Sequence, residues 1–357
     1  MSISTPTPAE QIARSRQRRS PLAVPQSKAW RTILAGVVLL LSLAVVILIS
    51  LCWGAVSLSR VELWQAALGQ GSVINQTIVW ELRLPRVVAA LVVGSALGMA
   101  GALLQGMLRN DLASPTVLGV SSGAGLVALT LFSLGIWPGL IPLGAWFGAV
   151  VTTLLVYLLA KQGTRLAVER LILAGVAFST LFGAIQSILL LFSRESRTQS
   201  ALNWLVGSLN GRGWSEMQFA GPGIAIALLL GCLLARSVNL LNLGDELAVS
   251  LGSPLFRTRC FVGAVATFLA AGAVSIAGLI GFVGIIVPHA VRLMVGNDYR
   301  WVLPYSALAG ALLLAASDLV ARLGAVEIPV GVVTSLVGAP VFIVLLNRSS
   351  RPSLSRN

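Results

Sequence analysis

The chain has 357 residues, of which 56% are hydrophobic and only 10% charged, and its mean hydropathy is +0.90. Soluble domains carry roughly a quarter charged residues, so this composition excludes a soluble globular protein and describes a polytopic membrane protein, all-α in class. The formal charge of +13 does not indicate nucleic acid, because the basic residues stand in ones and twos between apolar runs rather than on one face.

Residues 1–31 form a polar head in which Arg14, Arg16, Arg18, Arg19, Lys28 and Arg31 alternate with Pro and Ser. This tail is expected to be disordered and cytoplasmic. The apolar run at 32–53 is too long for a signal-peptide core and is kept as an uncleaved first span. Nine further runs of spanning length follow at 86–107, 114–135, 143–161, 170–193, 217–236, 258–278, 280–296, 302–321 and 331–347, the pair around Gly278 being divided only by a tight turn. With the head inside, cytoplasmic segments hold 18 of the 25 Lys and Arg and the outer segments 7. That asymmetry places both termini, including the tail 348–357, in the cytoplasm.

Between the sixth span and the seventh lies a semi-polar stretch at 239–254, NLLNLGDELAVSLGSP. Leu240, Leu243, Leu247 and Leu251 recur at helical spacing, with Asp245 and Glu246 off that stripe and Gly252 and Pro254 as stops. The pattern predicts one or two short amphipathic helices, too short to cross a bilayer and suited to meeting a soluble partner, within a cytoplasmic loop at 237–256. Taken as two halves of five, the spans give an odd number per half, which implies an inverted repeat if the halves are related. The Gly-rich runs GSALGMAG at 94–101 and AGLIGFVG at 277–284 supply small residues for close helix packing in both halves.

Six segments carry a resemblance: RLPR at 83–86, SALGMAGALLQGMLRNDLASPTVLGVSSGAG at 95–125, LILAG at 171–175, LNLGDELAVSLG at 241–252, GLIGFVGIIVPHAVRL at 278–293 and EIPVGVVTSLVGAPVF at 327–342. In this order and spacing they resemble the permease subunits, of the FecCD type, of ATP-binding-cassette importers for ferric siderophores, haem and vitamin B12. One departure is Asp111, where many relatives have proline. The resemblance implies a single permease domain over 32–347 in the bacterial cytoplasmic membrane. It further implies pairing with a second permease copy, two ATPase subunits below and a substrate-binding protein above. The loop with Leu240, Leu243, Gly244, Asp245, Glu246, Leu247, Leu251 and Gly252 is then the element coupled to the ATPases. Arg83, Arg86 and Arg322 are the positions expected to pair with glutamates of the binding protein, a use that suits the rigid guanidinium fork. The loop at 162–169, with Val168 and Glu169, resembles the family's cytoplasmic gate.

Asp318 lies one helical turn before Arg322 and is its obvious partner within the span. A lone His289 after Pro288, and Cys52, Cys232 and Cys260 without CxxC spacing, predict neither a metal site nor a disulfide framework. Gln105, Asn110 and Ser114 either cap the break between the second and third spans or line the path. There is no GxxxxGK[ST] or HExxH motif. The expected function is transport of a ferric siderophore or related chelate, haem or vitamin B12, with no cofactor and with hydrolysis on a separate subunit. An ion-coupled secondary transporter is the rival reading.

Overall fold

The computed structural model describes residues 26–349 apart from 55, 57, 136, 137, 163, 164 and 325. The expected basic head up to residue 25 and the tail beyond 349 lie outside the described residues. The spans begin with α1 (Gln26–Cys52). Two short helices follow, α2 (Arg60–Ala67) and α3 (Val73–Thr77), and then a π-helical turn (Ile78–Arg83) leading into α4 (Leu84–Leu108). The first half continues with α5 (Val120–Leu134), α6 (Ile141–Ala160), α7 (Val168–Phe192) and α8 (Glu195–Val206). The second half comprises α9 (Trp214–Leu233), α10 (Ala235–Asn242), α11 (Asp245–Ser250), α12 (Leu255–Ala277), α13 (Val283–Val295), α14 (Tyr299–Ala321) and α15 (Val330–Ser349).

Among the described residues, seven helical segments are long and apolar enough to cross a membrane, and Val120–Leu134, Val283–Val295 and Val330–Val344 are shorter apolar helices. These ten segments correspond to the ten expected spans. Both halves repeat one feature: the second spanning segment (α4, α12) is mostly buried, and the third (α5, α13) is short and starts after a left-handed residue, Gly119 or Phe282.

Helix α4 is the centre of the bundle, packed against α9, α12, α13 and α14. Its glycines make this possible. A Cβ on Gly94 would run into the carbonyl of Gly310, one on Gly98 into that of Ser306, and one on Gly101 into that of Gly284. In lipid, where apolar side chains gain little by leaving a solvent equally apolar, such backbone approach is a main source of helix association. Gly94→Leu is therefore expected to destabilise by more than the roughly 1–3 kcal/mol of ordinary overpacking. A thermal unfolding midpoint in detergent equal to wild type would contradict this packing.

Several boundaries differ from the sequence reading. The third span starts with a 3-10 turn (Pro115–Leu118), and the helix proper begins only after Gly119. The tight turn at Gly278 is instead a non-helical stretch ending at Phe282, so α13 is shorter than the predicted 280–296. The second span is reached through α3 and a π turn. Pro85 has no N–H, and its ring conflicts with the carbonyl four residues back, which favours a widened turn just before it. Helix α2 went unread, although Ser59 and Glu62 form a complete capping box at its start.

Candidate functional site

Two polar clusters occupy opposite ends of α4. At its C-terminal end, Arg109 takes a left-handed conformation (φ 52°) and its guanidinium lies against Gly244. Gly244, at φ 110° and ψ 159°, separates α10 from α11. Those angles fall in a region open essentially to glycine alone. The two helices are pinned from behind: Asn239 donates to Asp298 at 2.7 Å and accepts from the Tyr299 backbone N–H at 3.0 Å, while Arg259 pairs with Asp245 at 2.8 Å. Val238, Leu241 and Ala248 turn inward and are buried.

The outward face is left apolar. Leu243, Leu247, Val249 and Leu251 are each more than half exposed, beside exposed Glu246 and Gly252, with Leu240 half-buried. The predicted leucine stripe is thus exposed at three of its four positions. Val249 is exposed as well, two residues from Leu247 and so on a different side of the helix from the predicted stripe. Arg109, Asn239, Arg259 and Asp298 were missed, since their contacts with this element are tertiary.

At the other end, Arg83, Arg86 and Arg322 come together as the sequence reading expected, but their guanidinium groups are committed within the chain. Arg83 is buried at 6% exposure and donates to the carbonyls of Leu51, Cys52 and Val56. It satisfies the end of α1, whose last carbonyls have no helical partner. Arg86 grips Asp318 through Nε (3.0 and 3.1 Å) and Nη2 (2.8 Å), and Nη2 also reaches Glu327 at 2.5 Å. Arg322 pairs with Asp318 at 3.1 Å, as its spacing predicted, and donates to the Ser50 carbonyl. Asp318, 1% exposed, is held mainly by Arg86 from a distant helix, and the sequence gave no sign of that partner. Asp318 thus holds Arg86 and Arg322 within the chain, and Glu327, at 32% side-chain exposure, is the acid nearest the surface.

Elsewhere, Lys161–Gln162 and Arg165–Leu166 form a two-stranded ladder. Val168 and Glu169 open α7 behind it, Val168 against the core and Glu169 exposed; residues 163 and 164 of the expected gate loop lie outside the described residues. Gln105 donates to the carbonyls of Gly284 and Ile285, Asn110 accepts from the Leu112 N–H, and Ser114 bonds Thr116. These bonds fit the packing and capping role left open for the trio, while Ser114 also lines a cavity between the second and third spans and Phe282. Among the described residues, no group of three His, Cys, Asp or Glu could hold a metal.

A bundle of ten apolar helices that presents a non-spanning, apolar-faced helix pair at one end is a polytopic membrane permease. The profile of the FecCD transport family matches residues 41–348, and the chain belongs to that family. It is 44% identical over 276 residues to a cobalamin import system permease protein of Halobacterium salinarum, covering 76% of this chain and 73% of the other. It is 38% identical over 322 residues to a hemin transport system permease protein of Yersinia pestis, covering 87% and 94%. A solved metal-chelate type ABC transporter in an inward-facing conformation superposes with a TM-score of 0.79 at 33% identity, covering 87% of this chain and 97% of that one.

Proposed function

We propose that this chain is the membrane-spanning subunit of an ATP-binding-cassette importer that passes a bulky metal chelate into the cytoplasm. The observation that carries the reading is the exposed apolar surface of Leu243, Leu247, Val249 and Leu251 on a helix pair hinged at Gly244 and too short to span. Such a surface, braced by Asp298 and Arg259, suits a cleft on a soluble ATPase. One ATPase is proposed for each of two permease copies, with Val168 and Glu169 at the cytoplasmic gate between them and both termini on that side. A substrate-binding protein docks at the Arg86–Glu327 end. Its carboxylates then compete with Glu327, the exposed acid of that cluster, for the fork of Arg86. The cargo is proposed as a chelate of the siderophore, haem or cobalamin class. The relatives named for cobalamin and haemin, at 44% and 38% identity, do not favour the siderophore over the other two. Secondary transport is disfavoured because Asp318, the clearest intramembrane acid, is committed to ion pairs with two arginines rather than left unpaired along a path.

The test is uptake of labelled cyanocobalamin, haemin and a ferric siderophore in cells with and without the chain. One cargo is expected to be lost in the deletion, and in wild-type cells its uptake is expected to stop when ATP is depleted. Uptake that persists without ATP and collapses with the ion gradient would overturn the reading.

A further inference from the structure

The surface between α6 and α12 carries a groove of about 430 Å³ lined by apolar side chains, among them Trp146, Tyr157, Cys260, Ala264 and Phe268. It extends about 21 Å along α6, from Trp146 to Ala160, at 1.5 Å per residue. Its volume falls within the roughly 300–1,000 Å³ typical of ligand clefts. Leu154 and Leu158 along it and Phe261 beside it are more than half exposed, so this apolar face is uncovered within the chain. Beyond a ridge made by Ala264 and Phe268 lies a second apolar groove of about 320 Å³, between α12 and α9. Where α6 ends, Lys161 lines the first groove with its ammonium 5.5 Å from the centre of the Phe256 ring. Lys161 forms no ion pair among the described residues, and the exposed Arg257 follows Phe256 directly.

We propose that this surface binds one anionic diacyl phospholipid, with its phosphate at Lys161, one tail in the α6–α12 groove and the other across the ridge beside α9. The grooves alone would accept any acyl chain. The charge at the mouth selects the headgroup: a lysine whose stem follows the apolar wall carries its ammonium to headgroup level, and an unneutralised cation there attracts an anionic lipid. The proposal concerns this surface and does not depend on the cargo.

Cys260 supplies a local reporter, because its half-buried thiol lines the groove. In the full-length protein carrying Cys52→Ser and Cys232→Ser, maleimide modification of Cys260 would be timed in detergent with added phosphatidylglycerol, phosphatidylcholine of the same tails, or glycerophosphate. Phosphatidylglycerol should slow modification at about fivefold lower concentration than phosphatidylcholine, the factor equivalent to roughly 1 kcal/mol for one basic residue near anionic lipid. Lys161→Gln should erase that difference, and Ala264→Trp, at an exposed position on the ridge, should weaken protection by both lipids. Thermal midpoints of the variants confirm folding. Equal protection by the two lipids in the parent, or a preference that survives Lys161→Gln, would overturn the proposal. Protection by glycerophosphate alone would overturn it too, by indicating a site for a free anion.

Discussion

Gly244→Val is expected to abolish energised uptake of the cargo while the protein still reaches the membrane at wild-type level. At φ 110° and ψ 159°, Gly244 occupies a conformation that costs a side-chain-bearing residue about 1–3 kcal/mol. A Cβ there would also meet the Arg109 guanidinium at 3.4 Å. The relief available is a change in backbone angles, which swings α11 relative to α10 and disperses Leu243, Leu247, Val249 and Leu251. The spans lie outside this change, so insertion and thermal midpoint should hold. Co-purification of the ATPase with the variant should fall together with uptake. Full uptake by Gly244→Val would remove this helix pair from the coupling mechanism.

Asp318→Ala is expected to cause the largest loss of stability among single changes in the arginine cluster. Removing one partner of a buried ion pair costs about 3–5 kcal/mol, because the remaining charge stays buried without compensation. Here two guanidinium groups, those of Arg86 and Arg322, lose the same carboxylate. Glu327→Gln should cost far less, within the roughly 0–1 kcal/mol of an exposed pair, because water reaches that carboxylate. Thermal unfolding midpoints in detergent would give the order. If Asp318→Ala unfolds at the wild-type midpoint, the carboxylate does not hold this end of the bundle together. If Glu327→Gln is the more damaging, the assignment of the buried and exposed partners is reversed.

The contrast between these two residues marks what was legible in the sequence. The i, i+4 spacing of Asp318 and Arg322 is local and could be read directly. The stronger grip of Arg86 on Asp318 spans 232 residues, and no pattern within either segment encodes it. The RLPR segment brought Arg83 and Arg86 to notice through resemblance, but it carried no sign of their partners within the chain. The direction of these side chains depends on which buried acid and which helix end they meet. The short helix pair was more legible, because Leu243, Leu247 and Leu251 repeat with the period of a helix and Gly244 breaks it. Its anchors, Asn239 to Asp298 and Asp245 to Arg259, became visible only once α10 to α12 and α14 were assembled.

Composition and hydropathy by themselves determined that this is a membrane protein with ten apolar segments, since a hydrocarbon core about 30 Å thick imposes a length and an apolarity that any window of sequence reveals. Residue order carried the short helix pair in the middle of the chain. Only the tertiary structure decided that α4 is the central helix, that the third segment of each half is short, and that three arginines bond within the chain. Those outcomes rest on backbone contacts at Gly94, Gly98 and Gly101 and on charge pairing between distant helices, interactions that depend on where the helices lie in space rather than on the spacing of residues along the chain.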